Sequence, residues 1–355
     1  MTQEDTPPNI RSAKRGRKRA ARASARVTLL DEKDALTKVT WLYHHRGLKQ
    51  EQIARELGLS RTTVVRFLRR AAEQGLVTVS LRLEDLQRME LSTQLAGQFG
   101  LKEVFVVPTS NADTEGDVRR VVTKTGALYL RAKVRPHQIL AVAWGKTMFE
   151  VARALDDHPV RGLVVAGTIG GLNSGGAFNP SQVTSLLGEK LHARIYHLYV
   201  PALVDTKELK EVLLTNSAIR AALDVARQAA CFMAGIGKVD NDAAVVQTGF
   251  LDISAIDRLR AQGAVGDISG RYFDLHGKQI VGELEDRIMA LSWEDLQQLE
   301  NVVAVVCGHE KVEPTLGALR TGLLDALIID ERTALAVLER AGRAAPFTDL
   351  LANAL

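Results

Sequence analysis

Two groups of residues in this chain have types and spacings suited to chemistry. The first is Arg61, Thr62, Thr63, Val65, Arg66 and Arg69, packed into nine positions. A guanidinium can grip guanine O6 and N7 with two parallel donors, so Arg61 or Arg66 fits that contact. Thr62 or Val65 fits an apolar contact with a thymine methyl. Lys49 and Gln50, eleven residues or so upstream, suit phosphate oxygens, to which the positive end of a helix adds its own attraction. The second group is a set of glycine turns: Gly145-Lys146-Thr147, Gly167-Thr168-Ile169-Gly170-Gly171, Gly235-Ile236-Gly237 and Cys307-Gly308. Glycines at strand ends let backbone amides and helix N-termini approach an anion or a polyhydroxy ligand.

The elements that must position the first group can be read from the apolar spacing. Residues 50–69 read QEQIARELGLSRTTVVRFLR. Ile53 and Leu57 share one helical face, and Val64, Phe67, Leu68 and Ala71 share the face of a second helix. Gly58 supplies the left-handed residue of the tight turn between them. Ser60 stands at the N-cap, its hydroxyl placed to accept from the amide of Thr62 or Thr63. A preceding helix over about residues 34–46, with Leu36, Val39, Thr40, Leu42 and Tyr43 inward, completes a three-helix core. The alternating, β-branched stretch 76–81 predicts a wing strand, so the unit reads as a winged helix-turn-helix whose second helix enters the major groove.

The second group belongs to a different kind of unit. Short apolar runs at residues 104–107, 139–144, 163–167, 195–200, 302–308 and 326–329 alternate with helical segments. That pattern predicts a doubly wound, mostly parallel α/β domain. In such sheets ligands bind outside the carboxyl ends of the strands, where the glycine turns fall. Neither a GxGxxG after the first strand nor a GxxxxGK[ST] motif is present, so a dinucleotide fold and a P-loop are not indicated.

Charge follows the same division. Residues 11–26 carry eight Lys/Arg and no acid, residues 31–82 ten basic against six acidic, and residues 83–355 28 against 34. A basic head on an acidic body fits a DNA-binding end joined to a non-DNA-binding domain. The KRGRKR cluster at 14–19 could serve as an arm on DNA phosphates or in a minor groove, or simply be a solvated tail. The two cysteines, Cys231 and Cys307, form no disulfide framework or metal spacing, and no apolar run is long enough to span a membrane. The expectation is a cytoplasmic protein with no metal and no cofactor. The boundaries expected are a disordered basic tail over 1–30, the DNA-binding domain over 31–82, a linker helix over 83–100 and an effector domain over 101–355.

The chain resembles the SorC family of sugar-responsive regulators from about residue 35 to its end. The resemblance rests on SRTTVVRFLRRAAEQGLV (60–77), VAWGKT (142–147), GAVGDISGRYFDLHG (263–277) and VVCGHEKVEPTLGALRTGLLDALIIDERTA (305–334). It implies a sensor domain similar in fold to ribose-5-phosphate isomerase and glucosamine-6-phosphate deaminase, acting as a ligand-gated switch. It implies a homotetramer, a dimer of dimers, on operator DNA. It also implies ligand roles: Gly145, Lys146 and Thr147 at a phosphate-cradling turn, Gly170, Gly171 and Asn173 on a neighbouring loop, Asp267 on sugar hydroxyls, and Lys311 at the ligand's anionic end. Val65 and His309-Glu310 depart from the usual family pattern, which bears on operator identity and on how that anionic end is held. The alternative is an active sugar-phosphate isomerase or deaminase with a DNA-binding appendage, using Asp267, His309 or Glu310 as base.

Overall fold

The computed structural model describes residues 32–77, 83–110, 112–172 and 178–342. By its internal contacts the chain divides into two compact units, residues 1–82 and 83–355.

In the first unit, α1 (Glu32–His44), α2 (Gln50–Leu57) and α3 (Arg61–Glu73) pack around one small core. Leu36, Val39 and Leu42 of α1 meet Ile53 and Ala54 of α2 and Val64, Phe67 and Ala71 of α3. Gly58, at φ 66°, ends α2 in the left-handed conformation and its amide donates to the Ala54 carbonyl. The Ser60 hydroxyl then accepts from the Thr63 amide at 3.0 Å and starts α3. The turn between the two helices is therefore built by the two residues that the spacing singled out. Tyr43 departs from its expected inward place: it is 38% exposed, and Ala35 is buried in the core instead. A helix of this length buries one stripe only, and Leu36, Val39 and Leu42 already fill it. The wing strand expected over 76–81 falls mostly on residues 78–82, outside the described residues.

The second unit opens with α4 (Leu83–Phe99), β1 (Glu103–Val107), α5 (Glu115–Lys133), β2 (Ile139–Val142) and α6 (Lys146–Ala154). Next come β3 (Val164–Gly167), α7 (Pro180–Leu191), β4 (Arg194–Tyr196), α8 (Lys207–Thr215), α9 (Ser217–Arg227) and β5 (Cys231–Gly235). A smaller set follows: β6 (Gly237–Lys238), α10 (Ala244–Gln247), α11 (Ile253–Ala261), β7 (Ala264–Ile268) and β8 (Arg271–Asp274). The unit closes with α12 (Trp293–Gln298), β9 (Val302–Val306), α13 (Val312–Arg320), β10 (Ala326–Asp330) and α14 (Glu331–Arg340).

Seven strands form one sheet in the order β1-β10-β9-β5-β2-β3-β4, and every pairing is parallel. Their unbroken apolar runs are explained by burial on both faces. Along β9, Val302, Ala304 and Val306 enter one core while Val303 and Val305 enter the other. The first face is covered by Leu91 and Leu95 of α4, Leu223 of α9, Leu316 of α13 and Val337 of α14. The second is covered by Val122 of α5, Met148 and Val151 of α6, and Leu187 of α7. Each such side chain, fully buried, contributes about 1.5–3 kcal/mol. The helix expected as a linker is thus part of this unit by its packing. A separate antiparallel sheet, β6-β7-β8, is inserted between β5 and β9.

Strand order reverses at the middle of the large sheet. From β2 the chain runs outward through β3 to β4, whereas β5 lies on the opposite side of β2 and leads to β9 and β10. Crossovers leaving neighbouring strands toward opposite sides open a crevice at their carboxyl ends.

If α4 is held to the sheet by its buried face, Leu95→Ala should destabilise the protein by about 2–5 kcal/mol. Met89→Ala, at a position 64% exposed, should change stability by less than about 0.5 kcal/mol. Chemical denaturation of the two variants distinguishes this from a free-standing helix, for which both would be neutral.

Candidate functional site

On the first unit, α3 presents Arg61, Thr62, Val65, Arg66 and Arg69 to solvent, with Val65 44% exposed. An apolar side chain left out in the open on a helix of arginines suits a thymine methyl better than water. Arg69 pairs with Glu73 at 2.9 Å and Arg61 reaches Glu51 at 3.8 Å. Arg66 has no carboxylate partner among the described residues, and its guanidinium lies 5.7 Å from the centre of the Phe67 ring. Of the three arginines it is the one most free to engage a base edge. Ser60 and Thr63 are committed otherwise: the Ser60 hydroxyl contacts Thr62 Oγ1 at 2.7 Å and Thr63 Oγ1 at 2.8 Å while capping the helix. Lys49 stands at the N-cap of α2, where its amide donates to Gln52 Oε1 at 2.8 Å, and its side chain is exposed beside Gln50.

On the second unit, a cleft of about 470 Å³ opens at the carboxyl ends of β2, β5 and β9. That volume suits a small ligand. Gly145, at φ 101°, ends the β2 turn and precedes α6, so the residues that open α6, whose amides have no intrahelical acceptors, line the cleft as Lys146 and Thr147. Gly235 and Gly237 bring the β5 turn in from the other side of the reversal. Asp267 and Lys311, from β7 and from the turn before α13, line the same cleft.

Asp267 is almost fully buried. Its Oδ2 accepts from the Gly270 amide at 2.9 Å, and its other oxygen packs over Gly237. A Cβ on Gly237 would lie 1.7 Å from Asp267 Oδ1, so glycine is required there to admit the carboxylate. Burial pushes the Asp267 carboxyl above its usual range, against the Gly270 amide and the Lys311 charge. Burial likewise draws the Lys311 ammonium down, against Asp267 and Glu310. The Lys311 Nζ donates to the Ile236 carbonyl at 2.9 Å. An acid and a base both penalised by desolvation in one cleft are poised to gain from a ligand's hydroxyls, which replace lost water with directed hydrogen bonds. Ser269, in a left-handed conformation at φ 53°, also lines the cleft and joins Thr168 Oγ1 at 2.6 Å. Thr168 Oγ1 in turn donates to the Val142 carbonyl at the end of β2.

Gly145, Lys146, Thr147, Asp267 and Lys311 therefore converge. Gly170 and Gly171 do not: they lie away from this cleft and their amides are spent on the Met289 and Val200 carbonyls. A Cβ on Gly170 would meet the Val200 carbonyl at 2.4 Å, so this glycine serves close backbone packing and not an anion. Asn173 lies outside the described residues. The Gly308 amide is likewise spent, on Asp330 Oδ2 and Thr333 Oγ1 at 3.1 Å each. Among the lining residues that escaped the sequence reading are Arg119 of α5 and Lys238, while Glu310, named there beside His309, is brought into the cleft. Lys238 follows the Gly235-Ile236-Gly237 turn directly and was within reach of that signal. Arg119, 26 positions before Gly145, was not.

Comparison with known proteins bears on both units. The Sugar-bind model of a sugar-binding domain matches residues 85–339, and the MarR family model matches residues 36–88. The deoxyribonucleoside regulator of Bacillus subtilis (strain 168) is 30% identical over 299 residues, spanning 83% of this chain and 94% of its own length. The erythritol catabolism regulatory protein EryD of Brucella abortus (strain 2308) is 28% identical over 313 residues, 87% of this chain and 98% of its own. The crystal structure of the full-length sorbitol operon regulator SorC from Klebsiella pneumoniae matches with a TM-score of 0.67 at 26% identity, covering 87% of this chain and 99% of that one. These relatives are transcription regulators, not enzymes, and the isomerase or deaminase alternative is set aside.

The close fit of Asp267 over Gly237 sets an expectation. Gly237→Ala should cost at least about 1–3 kcal/mol of stability through overpacking and displace the carboxylate from the cleft. Denaturation midpoints test the first effect. Unchanged stability would mean that the carboxylate moves freely.

Proposed function

The chain belongs to the SorC family of sugar-binding transcription regulators, and from that membership we propose how its two units divide the work. The protein is a DNA-binding regulator of carbohydrate catabolism with a sugar-binding effector domain. In our reading α3 reads the operator through Arg66, with Arg61, Thr62, Val65 and Arg69 around it and Lys49 and Gln50 on phosphates. The cleft between β2 and β5 takes the effector, a sugar, sugar alcohol or one of their phosphates. The observation that carries this reading is the convergence of Asp267, Lys311 and the Gly145-Lys146-Thr147 turn at the reversal of strand order. Chemistry supports the assignment: a carboxylate accepts from hydroxyls, and the ammonium donates to hydroxyl or anionic oxygens.

The regulator works as a homotetramer in the cytoplasm, arranged as a dimer of dimers on paired operator half-sites. Effector binding shifts the population between two arrangements with different operator affinity. The effector must bind one arrangement better than the other for any switching to follow. A coupling of about 1–3 kcal/mol corresponds to a change in operator affinity of roughly 5–150-fold.

Thermal-shift screening of the full-length protein against sugars, polyols and their phosphates tests the cleft. A ligand that binds the native state raises apparent stability, and it should also change affinity for the protein's own promoter fragment. A hit whose effect persists unchanged in Asp267→Asn would place the effector elsewhere. For the DNA-reading helix, Arg66→Ala should cost about 1–3 kcal/mol and relax base preference at one operator position. Fluorescence anisotropy with a set of single-base operator variants measures this; a uniform loss across all variants would assign Arg66 to phosphate contact instead.

A further inference from the structure

Arg119 occupies the second turn of α5, a helix whose buried residues otherwise serve the sheet's second face. Its side chain is half-buried and lines the cleft together with Lys146, Thr147 and Cys307. Cys307, at the carboxyl end of β9, lines the same stretch of the cleft; burial pushes its thiol up to about 11, and the Arg119 guanidinium opposes that rise. Arg119 thus shares the cleft wall with the carboxyl end of β9 and with the turn that opens α6.

The cations of the cleft are not equivalent. Lys238 is held by Asp242 at 2.6 Å, and Lys311 donates to the Ile236 carbonyl with Asp267 and Glu310 about it. Arg119 forms no ion pair among the described residues, although Glu115 lines the same cleft one turn earlier on α5. A guanidinium carries five donors in a fixed fork and no acceptor. The buried Cys307 thiol beside it is a weak hydrogen-bond partner, and no carboxylate among the described residues takes up the fork. Its fork matches a phosphoryl group with two parallel bonds, which an ammonium cannot do.

We propose that Arg119 is the residue that selects an anionic ligand in this cleft, taking the phosphoryl group of a phosphorylated carbohydrate alongside the first amides of α6. Asp267 and Lys311 then hold the hydroxyl-bearing part, and the anionic end lies at Arg119 and Lys146, not at Lys311. This rests on the reading of the cleft as the effector site.

The test uses the full-length protein, two matched pairs of probes (ribose 5-phosphate against ribose, glucose 6-phosphate against glucose) and inorganic phosphate alone. In thermal-shift titrations the native protein should be stabilised by inorganic phosphate and by the phosphorylated member of at least one pair. Arg119→Gln should raise the half-saturating concentration of those ligands at least ten-fold, and Arg119→Lys should recover part of the loss. Melting without ligand and operator binding without ligand should stay as in the native protein, which separates loss of recognition from loss of fold. Equal phosphate titrations in native protein and Arg119→Gln overturn the proposal. A native protein that answers to a free sugar but to no phosphorylated probe overturns it too, while leaving the cleft as a carbohydrate site. A native protein that answers to none of the probes counts against both.

Discussion

The reversal of strand order between β2 and β5 is the constraint that shapes the second unit's cleft. A parallel sheet buried on both faces has no free surface along its strands, because alternate side chains of β9, β5 and β2 are consumed by one core or the other. The places left for a ligand are the strand ends. At the reversal the chain leaves β2 and β5 toward opposite sides, so the turns after them diverge and a crevice remains.

What fills that crevice is governed by desolvation. Asp267 and Lys311 are brought in by the small inserted sheet and by the turn after β9, and both lose water without forming a direct ion pair among the described residues. Their unspent hydrogen-bonding capacity is what the proposed effector site offers a polar ligand. Gly237 makes the arrangement possible by yielding the space that a side chain would occupy. Ser269 and Thr168 tie the inserted sheet to the carboxyl end of β2, so the two walls of the cleft share a hydrogen-bonded chain.

The DNA-reading unit is organised by a different balance. Its three helices bury little more than one residue per turn each, and the surface of α3 is left to arginine, threonine and valine. Surface ion pairs such as Arg69–Glu73 contribute at most about 1 kcal/mol, so they orient side chains without locking them. That leaves arginines available to a phosphate or a base at small cost. The two units thus separate a sugar-binding domain built on buried strands from a small DNA-binding domain whose arginines lie in solvent.

Local rules were enough for the helix-turn-helix. Gly58 and Ser60 act through contacts within five residues, and the 3.6-residue period of Ile53, Val64 and Phe67 names its own inner face. The continuous apolar strands, equally local, declared a parallel sheet, and the glycine turns marked the ends of its strands. What sequence could not decide was which turns face one another. Gly170 and Gly171 look like Gly145 and Gly235 along the chain, yet they spend their amides on neighbouring backbone because β3 lies outside the reversal. The inserted sheet was hidden as well, since its Gly-rich segment over 263–277 lacks the long apolar run that marks a buried strand. Arg119 reaches the cleft only because α5 packs beside α6. Strand order and helix placement arise from burying both faces of one sheet at once, a property of the assembled core that no window of neighbouring residues contains.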